Sequence, residues 1–327
     1  MPKLGLPSQP TKTTLRFAMR CLIQAVSATA LFVTLAAGAQ TNAAAGLGLP
    51  TIEPLSAHAC QAMEQHHSLR PDNPVACQRL RAVHFSYRSD AGIKTDGELV
   101  VLDVIAPQVA DLMHELAERG FYIDKARPVE DYDGNDLASM NDNDTSAFNG
   151  RRTATSRSWS LHAYGVAIDL NPLQNPSIYP NQREDADGNV VPGQPGTALV
   201  RPAASSSGSD NYLNRNVYRA RPGQDGFYRP GMAESVVELF AYHGFLSWGG
   251  DWNDPLDYQH FEVGPRRFIE RMYAADPADS TDPVKGRRLF ARYVKTYRSC
   301  LASKHGGTSD ASPRRAFCAR ETINPFL

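Results

Sequence analysis

Two stretches of the chain share one grammar, a helix with a narrow apolar stripe followed by a short apolar run. In the first, Pro107 marks a helix start, and Val109, Leu112, Met113 and Leu116 recur at helical spacing. Gly120 stops the run, and Phe121-Tyr122-Ile123 reads as a returning strand. In the second, Val236, Leu239, Phe240 and His243 form the stripe, Gly244 stops it, and Phe245-Leu246-Ser247-Trp248 follows as a strand. Upstream, the alternation Val83-His84-Phe85-Ser86-Tyr87 and the Val- and Leu-dense stretch Glu98 to Val104 read as strands. Beyond Pro283 a last helix places Phe290, Tyr293, Val294 and Tyr297 on one side, a core-packing stripe. Helices that bury one face against strands in this order predict an α+β class, a small antiparallel sheet with flanking helices.

Two segments lack such periodicity. Residues 40–56 are small and Pro-rich, with the look of a linker. Residues 173–232 form a long polar connection rich in Pro, Gly, Asn and Ser, expected to be a functional lid or a disordered insertion. Within it, Asp185-Ala186-Asp187-Gly188-Asn189 imitates the start of a calcium loop. The closing glutamate is replaced by Gln194, so a plain turn is expected there.

Charge is distributed unevenly. Overall the 327 residues hold 34 basic and 35 acidic side chains, a net of -1 with both signs interspersed, which gives no reason to expect a nucleic-acid partner. No acidic residue precedes Glu53, however, while Lys3, Lys12, Arg16 and Arg20 lead into an apolar run from about Cys21 to Ala37 that ends Ala37-Gly38-Ala39. This is the layout of a secretory signal over residues 1–39, with a retained signal anchor as the alternative. Gln24, Ser27 and Thr29 interrupt the run, which makes it a poor membrane span. Cleavage after Ala39 leaves 30 basic and 35 acidic residues and a net of -5, and nothing beyond it resembles a membrane segment. The expected location is therefore periplasmic or extracellular.

Cysteine usage agrees with export. Apart from Cys21, the chain holds Cys60, Cys77, Cys300 and Cys318, and of three possible connectivities the local pairs 60–77 and 300–318 are the simplest. Loops of this size contribute about 3 kcal/mol each in the loop-entropy account. A structural zinc site is the competitor, but no Cys-x-x-Cys spacing exists. The expected layout is a signal at 1–39, a linker and disulfide loop at 40–81, a main domain at 82–275 with its insertion at 173–232, and a C-terminal helix with a clamped tail at 276–327.

The chemistry concentrates in Ser158 to Pro172 and Gly249 to Glu262. Each segment holds a histidine and a carboxylate among aromatic and apolar residues, in a chain with only nine histidines. A catalytic zinc site needs three protein ligands and an open position for water, and His162, Asp169 and His260 can supply the three. His162 and Asp169 stand seven apart, which in an unbroken strand sends them to opposite faces. They converge only if the chain bends between them, and Gly165 is the place for a bend. Asp257, three residues before His260, then remains free to act as general base toward a water whose pKa the metal lowers, and to pass the proton to a leaving amine. Read without the metal, the same residues are a satisfied core histidine and surface aspartates.

The motif Ser160-x-His162-x-x-Gly165-x-Ala167-Ile168-Asp169, with Asp257-x-x-His260-Phe261-Glu262 downstream, resembles the zinc signature of the M15 peptidases, the D-alanyl-D-alanine carboxypeptidase family. Trp159-Ser160-Leu161-His162-Ala163-Tyr164-Gly165 and Leu170-Asn171-Pro172 most resemble the branch of phage L-alanyl-D-glutamate endopeptidases and their bacterial relatives. The resemblance runs from about Val83 to Val263. It implies an α+β zinc domain of the Hedgehog/D-Ala-D-Ala-peptidase type that acts on peptidoglycan stem peptides with one catalytic Zn2+. It also implies zinc ligands at His162, Asp169 and His260 and a catalytic carboxylate at Asp257. An upstream arginine of the family falls on Arg151, in Phe148-Asn149-Gly150-Arg151, with Arg152 as the adjacent rival. A guanidinium there would stabilise a developing oxyanion. Ser160 is expected on a strand face with His162, where it orients a ligand, binds substrate or is a plain strand hydroxyl. Trp252 and Tyr258 are expected to wall the cleft, and Trp248 to be buried.

The expected function is thus a zinc-dependent L-Ala-D-Glu endopeptidase of stem peptides, with a D,D-carboxypeptidase using the same site as the close alternative. A non-enzymatic alternative is an exported zinc-containing protein that binds the wall. The long insertion, the cysteine loops and the C-terminal helix depart from the compact family pattern.

Overall fold

The computed structural model describes residues 46–153, 158–186, 188–203, 230–303 and 311–326. The expected signal, 1–39, lies outside them, as does the stretch 204–229 of the polar connection. In chain order the first elements are β1 (Thr51–Pro54), a helix Ala57–Gln65, β2 (Leu80–Ser89), β3 (Gly92–Leu102) and a helix Ala106–Glu118. These are followed by β4 (Lys125–Ala126), a short helix Asp136–Asn141 and β5 (Asp144–Thr145). Then come β6 (Ala167–Asp169), β7 (Ser177–Pro180), β8 (Gln182–Glu184), β9 (Val190–Pro192) and β10 (Ala198–Arg201). A helix Val237–Tyr242 leads to β11 (Ser247–Trp248), β12 (Leu256–Asp257) and β13 (His260–Glu262). Helices Arg266–Tyr273, Val284–Ala302 and Ala311–Ile323 complete the described chain.

Helices and small antiparallel sheets make this an α+β fold. Three sheets have three strands each, in the orders β1-β2-β3, β10-β7-β12 and β11-β13-β6, and all their pairings are antiparallel. The helix Ala106–Glu118 forms where its stripe predicts, because Val109, Leu112, Met113 and Leu116 are all fully buried against the strands beneath. The second stripe begins as a 3-10 turn over Ala233–Val236 and becomes α-helical only at Val237. Phe240 from this helix stacks on Phe261 of β13 with ring centroids 3.9 Å apart, which ties the helix to the strand that carries His260. Phe290, Tyr293, Val294 and Tyr297 enter the same core, so the C-terminal helix packs on the main body and is no appendage to it.

Both disulfides join the local pairs, Cys60 to Cys77 and Cys300 to Cys318. Each ties a helix to the neighbouring chain, the first joining Ala57–Gln65 to the start of β2 and the second joining the last two helices.

The structure corrects three local expectations. Residues 40–56 are not linker throughout, since Thr51–Pro54 pairs with the free edge of β2; backbone hydrogen bonds form this strand, and its exposed side chains leave no apolar pattern. Phe121-Tyr122-Ile123 forms no strand. It makes a single bridge, from Tyr122 to Arg88, and the nearest ladder is the short parallel pair β4 and β5. Residues 177–201 of the polar connection are built into sheets: β7 pairs with β12 and β10, and β8 forms a hairpin with β9. Only Ile178 of β7 faces the core, so the stretch offered almost no apolar alternation to read. At the tip of that hairpin, within the calcium-like segment, Asp185 Oδ1 accepts from the Asn189 amide at 2.8 Å.

Candidate metal centre

The chain reaches the site through a tight turn. Leu161–Tyr164 forms a 3-10 helix capped by Ser160, whose Oγ accepts from the His162 amide at 3.3 Å. Ser160 therefore shares no strand face with His162. The hydroxyl that was expected on a strand instead starts the turn that presents the imidazole. The turn ends at Gly165, whose φ of 66° is left-handed and whose missing Cβ would lie 2.6 Å from the Leu102 amide nitrogen. This reversal lets β6 run back beside β13 with Asp169 directly opposite His260.

Three donor groups converge. His162 Nε2 lies 3.1 Å from His260 Nδ1 and 3.2 Å from an Asp169 oxygen, and His260 Nδ1 lies 3.0 Å from the other Asp169 oxygen. All three side chains are buried, and their ligating atoms lie within 4.8 Å of one another. The outward nitrogens have partners too: His162 Nδ1 meets the Ala147 carbonyl at 2.5 Å, and His260 Nε2 meets Glu262 at 3.0 Å. A carbonyl and a carboxylate only accept, so those two outward nitrogens are donors, which leaves the inward nitrogens to offer lone pairs when a cation lies between them. Two lone pairs and a carboxylate then face one point. A bound cation or a shared proton must neutralise them, and two imidazoles with one carboxylate are a donor set that suits zinc.

Electrostatics follow from this crowding. Burial works to raise the Asp169 carboxyl, but the charges and hydrogen bonds of His162 and His260 outweigh it and hold the group well below the ordinary carboxylate range. Burial works to lower His260, but Asp169 and Glu262 raise it well above the ordinary imidazole value. Asp257 is raised, first by burial and then by the charge of Asp169, with His260, Ser177 and Gln259 opposing in part.

Asp257 stands at the end of β12 with its Oδ1 accepting from Ser177 Oγ at 2.5 Å, and Gln259 Nε2 donates to that Oγ at 2.9 Å. Arg151 pairs with Asp136 at 2.8 Å, and its Nε is buried without a partner among the described residues. A cleft of about 420 Å³ takes in His162, Asp169, His260, Asp257, Arg151 and Trp252. The Trp252 ring lies 5.3 Å from that of His260. Arg152 is not in the lining; its guanidinium lies over the Trp159 ring at 4.3 Å and bonds Asp72. Tyr258, expected in the wall, is only 1% exposed and packs edge-on against Trp248, itself buried. Alternate side chains of an extended segment point to opposite sides, so Asp257 and Gln259 face the cleft and Tyr258 turns into the core.

Motif reading had not assigned roles to Glu262, Ser177, Gln259 and Asp136. Glu262 stood inside the quoted motif, two residues from His260 on the same strand face, and that spacing was a usable signal. Ser177 and Asp136 lie 80 and 15 residues from the side chains they hold, and only the fold brings them there.

Residues 153–263 match the family model described as D-alanyl-D-alanine carboxypeptidase, of the M15 peptidases. This is an M15-type peptidase segment. The matched stretch contains His162, Asp169, Asp257 and His260 and stops just short of Arg151. It supports a hydrolase that acts on peptide bonds of peptidoglycan-type substrates. No curated protein and no solved structure matches the chain. Among the described residues no helix is long and apolar enough to cross a membrane.

Proposed function

We propose that the chain is an exported zinc metallopeptidase that cuts peptidoglycan stem peptides at the L-Ala-D-Glu bond, on a domain of the Hedgehog/D-Ala-D-Ala-peptidase type at about 82–275. The observation that carries the reading is the trio of inward-facing donors, with both outward imidazole nitrogens pinned and a carboxylate, Asp257, in the same cleft. His162 through Nε2, Asp169, and His260 through Nδ1 would hold the ion. Once bound, zinc supplies Lewis acidity that polarises a carbonyl and makes water easier to deprotonate.

The side chains do the rest. Asp257, raised by burial and by Asp169, takes the proton from the attacking water and returns it to the leaving amine. Ser177, backed by Gln259, holds one oxygen of that carboxylate in place. Arg151, fixed by Asp136, offers its unpartnered Nε to the oxygen on which negative charge develops. Trp252 covers the His260 side of the cleft, and Ser160 sets the turn that aims His162. Export is supported by the amino-terminal pattern and by two disulfides, which persist in oxidising compartments.

The family model's description favours a second reading, a D,D-carboxypeptidase working through the same site. Incubating the mature protein with purified muropeptides, with and without a chelator, separates the two. A new D-Glu amino terminus identifies the endopeptidase, and released D-Ala identifies the carboxypeptidase. Absence of any chelator-sensitive cleavage defeats both.

A further inference from the structure

The β10-β7-β12 sheet carries more of the cleft than Asp257. In its register Arg201 of β10 lies opposite Ser177 of β7, and Ser177 lies opposite Asp257 of β12, so the three occupy one row on one face. Tyr179, two residues along β7, shares that face, while Ile178, Leu256 and Val200 point the other way into the core. Arg201 and Tyr179 both line the cleft, with the guanidinium carbon 6.0 Å from the Tyr179 ring centroid.

Both groups are prepared to bind an anion. Glu184 Oε2 takes Nε and Nη2 of Arg201 at 3.1 and 2.7 Å, and the Gly188 carbonyl takes Nη2 at 2.6 Å. These contacts fix the guanidinium plane and leave Nη1 without a partner among the described residues. The Tyr179 hydroxyl makes no hydrogen bond among them either. Burial and the charge of Asp257 push this phenol up to about 12, so it stays a donor at working pH.

The substrate chemistry supplies the anion. If Asp257 protonates the leaving amine, as the proposed function requires, that nitrogen sits against Asp257. In an L-Ala-D-Glu bond the D-Glu residue, linked onward through its γ-carboxyl, bears a free α-carboxylate on the carbon next to the nitrogen. The terminal carboxylate of D-Ala-D-Ala occupies the same place. β10 and β12 stand two strand spacings apart, about 9–10 Å, a gap that an arginine and a tyrosine can bridge toward Asp257.

We infer that Arg201 and Tyr179 form the subsite for the carboxylate on the leaving side of the scissile bond, with Arg201 as the main determinant of preference for acid over amide. The subsite belongs to the 173–232 stretch, which thereby takes a part in substrate choice. The inference rests on the proposed function.

The test uses the mature, zinc-loaded chain and two pairs of peptides: L-Ala-γ-D-Glu-L-Lys with its α-amide, and a peptide ending in D-Ala-D-Ala with its terminal amide. The expected result is that the wild type prefers the acid of the pair it cuts by at least tenfold in kcat/KM. Arg201→Met is expected to collapse that ratio mainly through KM, Arg201→Lys to restore part of it, and Tyr179→Phe to reduce it by less. Thermal melts establish that each variant is folded. A wild type indifferent to acid or amide overturns the inference, as does an Arg201→Met variant that loses both members equally. If the wild type cuts neither pair, the proposed function fails, and calorimetric titration with the same uncleaved peptides still judges the subsite. Tighter binding of an acid than its amide, lost in Arg201→Met, supports it, and equal affinities refute it.

Discussion

Glu262 accepts from Nε2 of His260 at 3.0 Å and so leaves Nδ1 as the nitrogen that faces inward, toward Asp169 and His162. The two residues lie two apart on β13, the shortest spacing that puts both side chains on one strand face. One strand thus delivers a donor atom and the group that selects its tautomer.

Removing that partner tests the centre directly. Glu262→Ala is expected to weaken zinc affinity by about 10–100-fold, because the ring loses the acceptor that orients it. Competition with a chromophoric chelator measures this, and an unchanged affinity would mean that Glu262 plays no part in holding the ring.

In the proposed mechanism Asp257 serves the chemistry and does not hold the ion. Asp257→Asn is expected to retain one zinc per chain while hydrolysis falls by about 10²–10⁴-fold, the usual range for loss of a general acid–base group. Metal analysis and cleavage of a stem peptide on the same sample decide the matter; loss of zinc in parallel with activity would make Asp257 a ligand instead.

Gly165 is the hinge of the His162 turn. An added Cβ meets the Leu102 amide nitrogen at 2.6 Å in a left-handed conformation, so Gly165→Ala is expected to cost about 1–3 kcal/mol in urea unfolding. Because the same turn brings His162 Nε2 within 3.2 Å of Asp169, zinc affinity is expected to fall with stability. A variant with normal stability and normal affinity would show that the turn accommodates a side chain.

Asp144 gives the stability of the fold a pH dependence of its own. Its carboxyl is fully buried, and although Ser139 Oγ and the Arg127 amide donate to it, burial pushes it from 3.8 to about 8. A folded-state pKa raised above the unfolded one adds stability below the unfolded value, and that stability is lost as pH rises through the folded value. Stability is therefore expected to decline between about pH 4 and pH 8. Asp144→Asn, which mimics the protonated group, is expected to flatten the decline, as read from urea midpoints across that window. Parallel curves for the two proteins would show that Asp144 ionises without cost.

The local elements were legible wherever burial imposed a period. Val109, Leu112, Met113 and Leu116 announced their helix because one side of it touches only core, and Phe290 to Tyr297 did the same. The two short motifs carried the donor residues, and Gly165 marked the bend that brings His162 and Asp169 together. Strands held by main-chain bonds at an edge left little trace: Thr51–Pro54 is exposed throughout, and Ser177–Pro180 buries one aliphatic side chain.

The amino-acid sequence by itself therefore determined which donors exist, where the chain must bend between them, and which cysteines are near enough to pair. Tertiary structure alone decided which nitrogen of each imidazole faces inward, because Ala147 and Glu262 supply the acceptors that set the tautomers. It also decided that Ser177 and Arg201 share a row with Asp257, since strand register is a relation between segments distant in the chain.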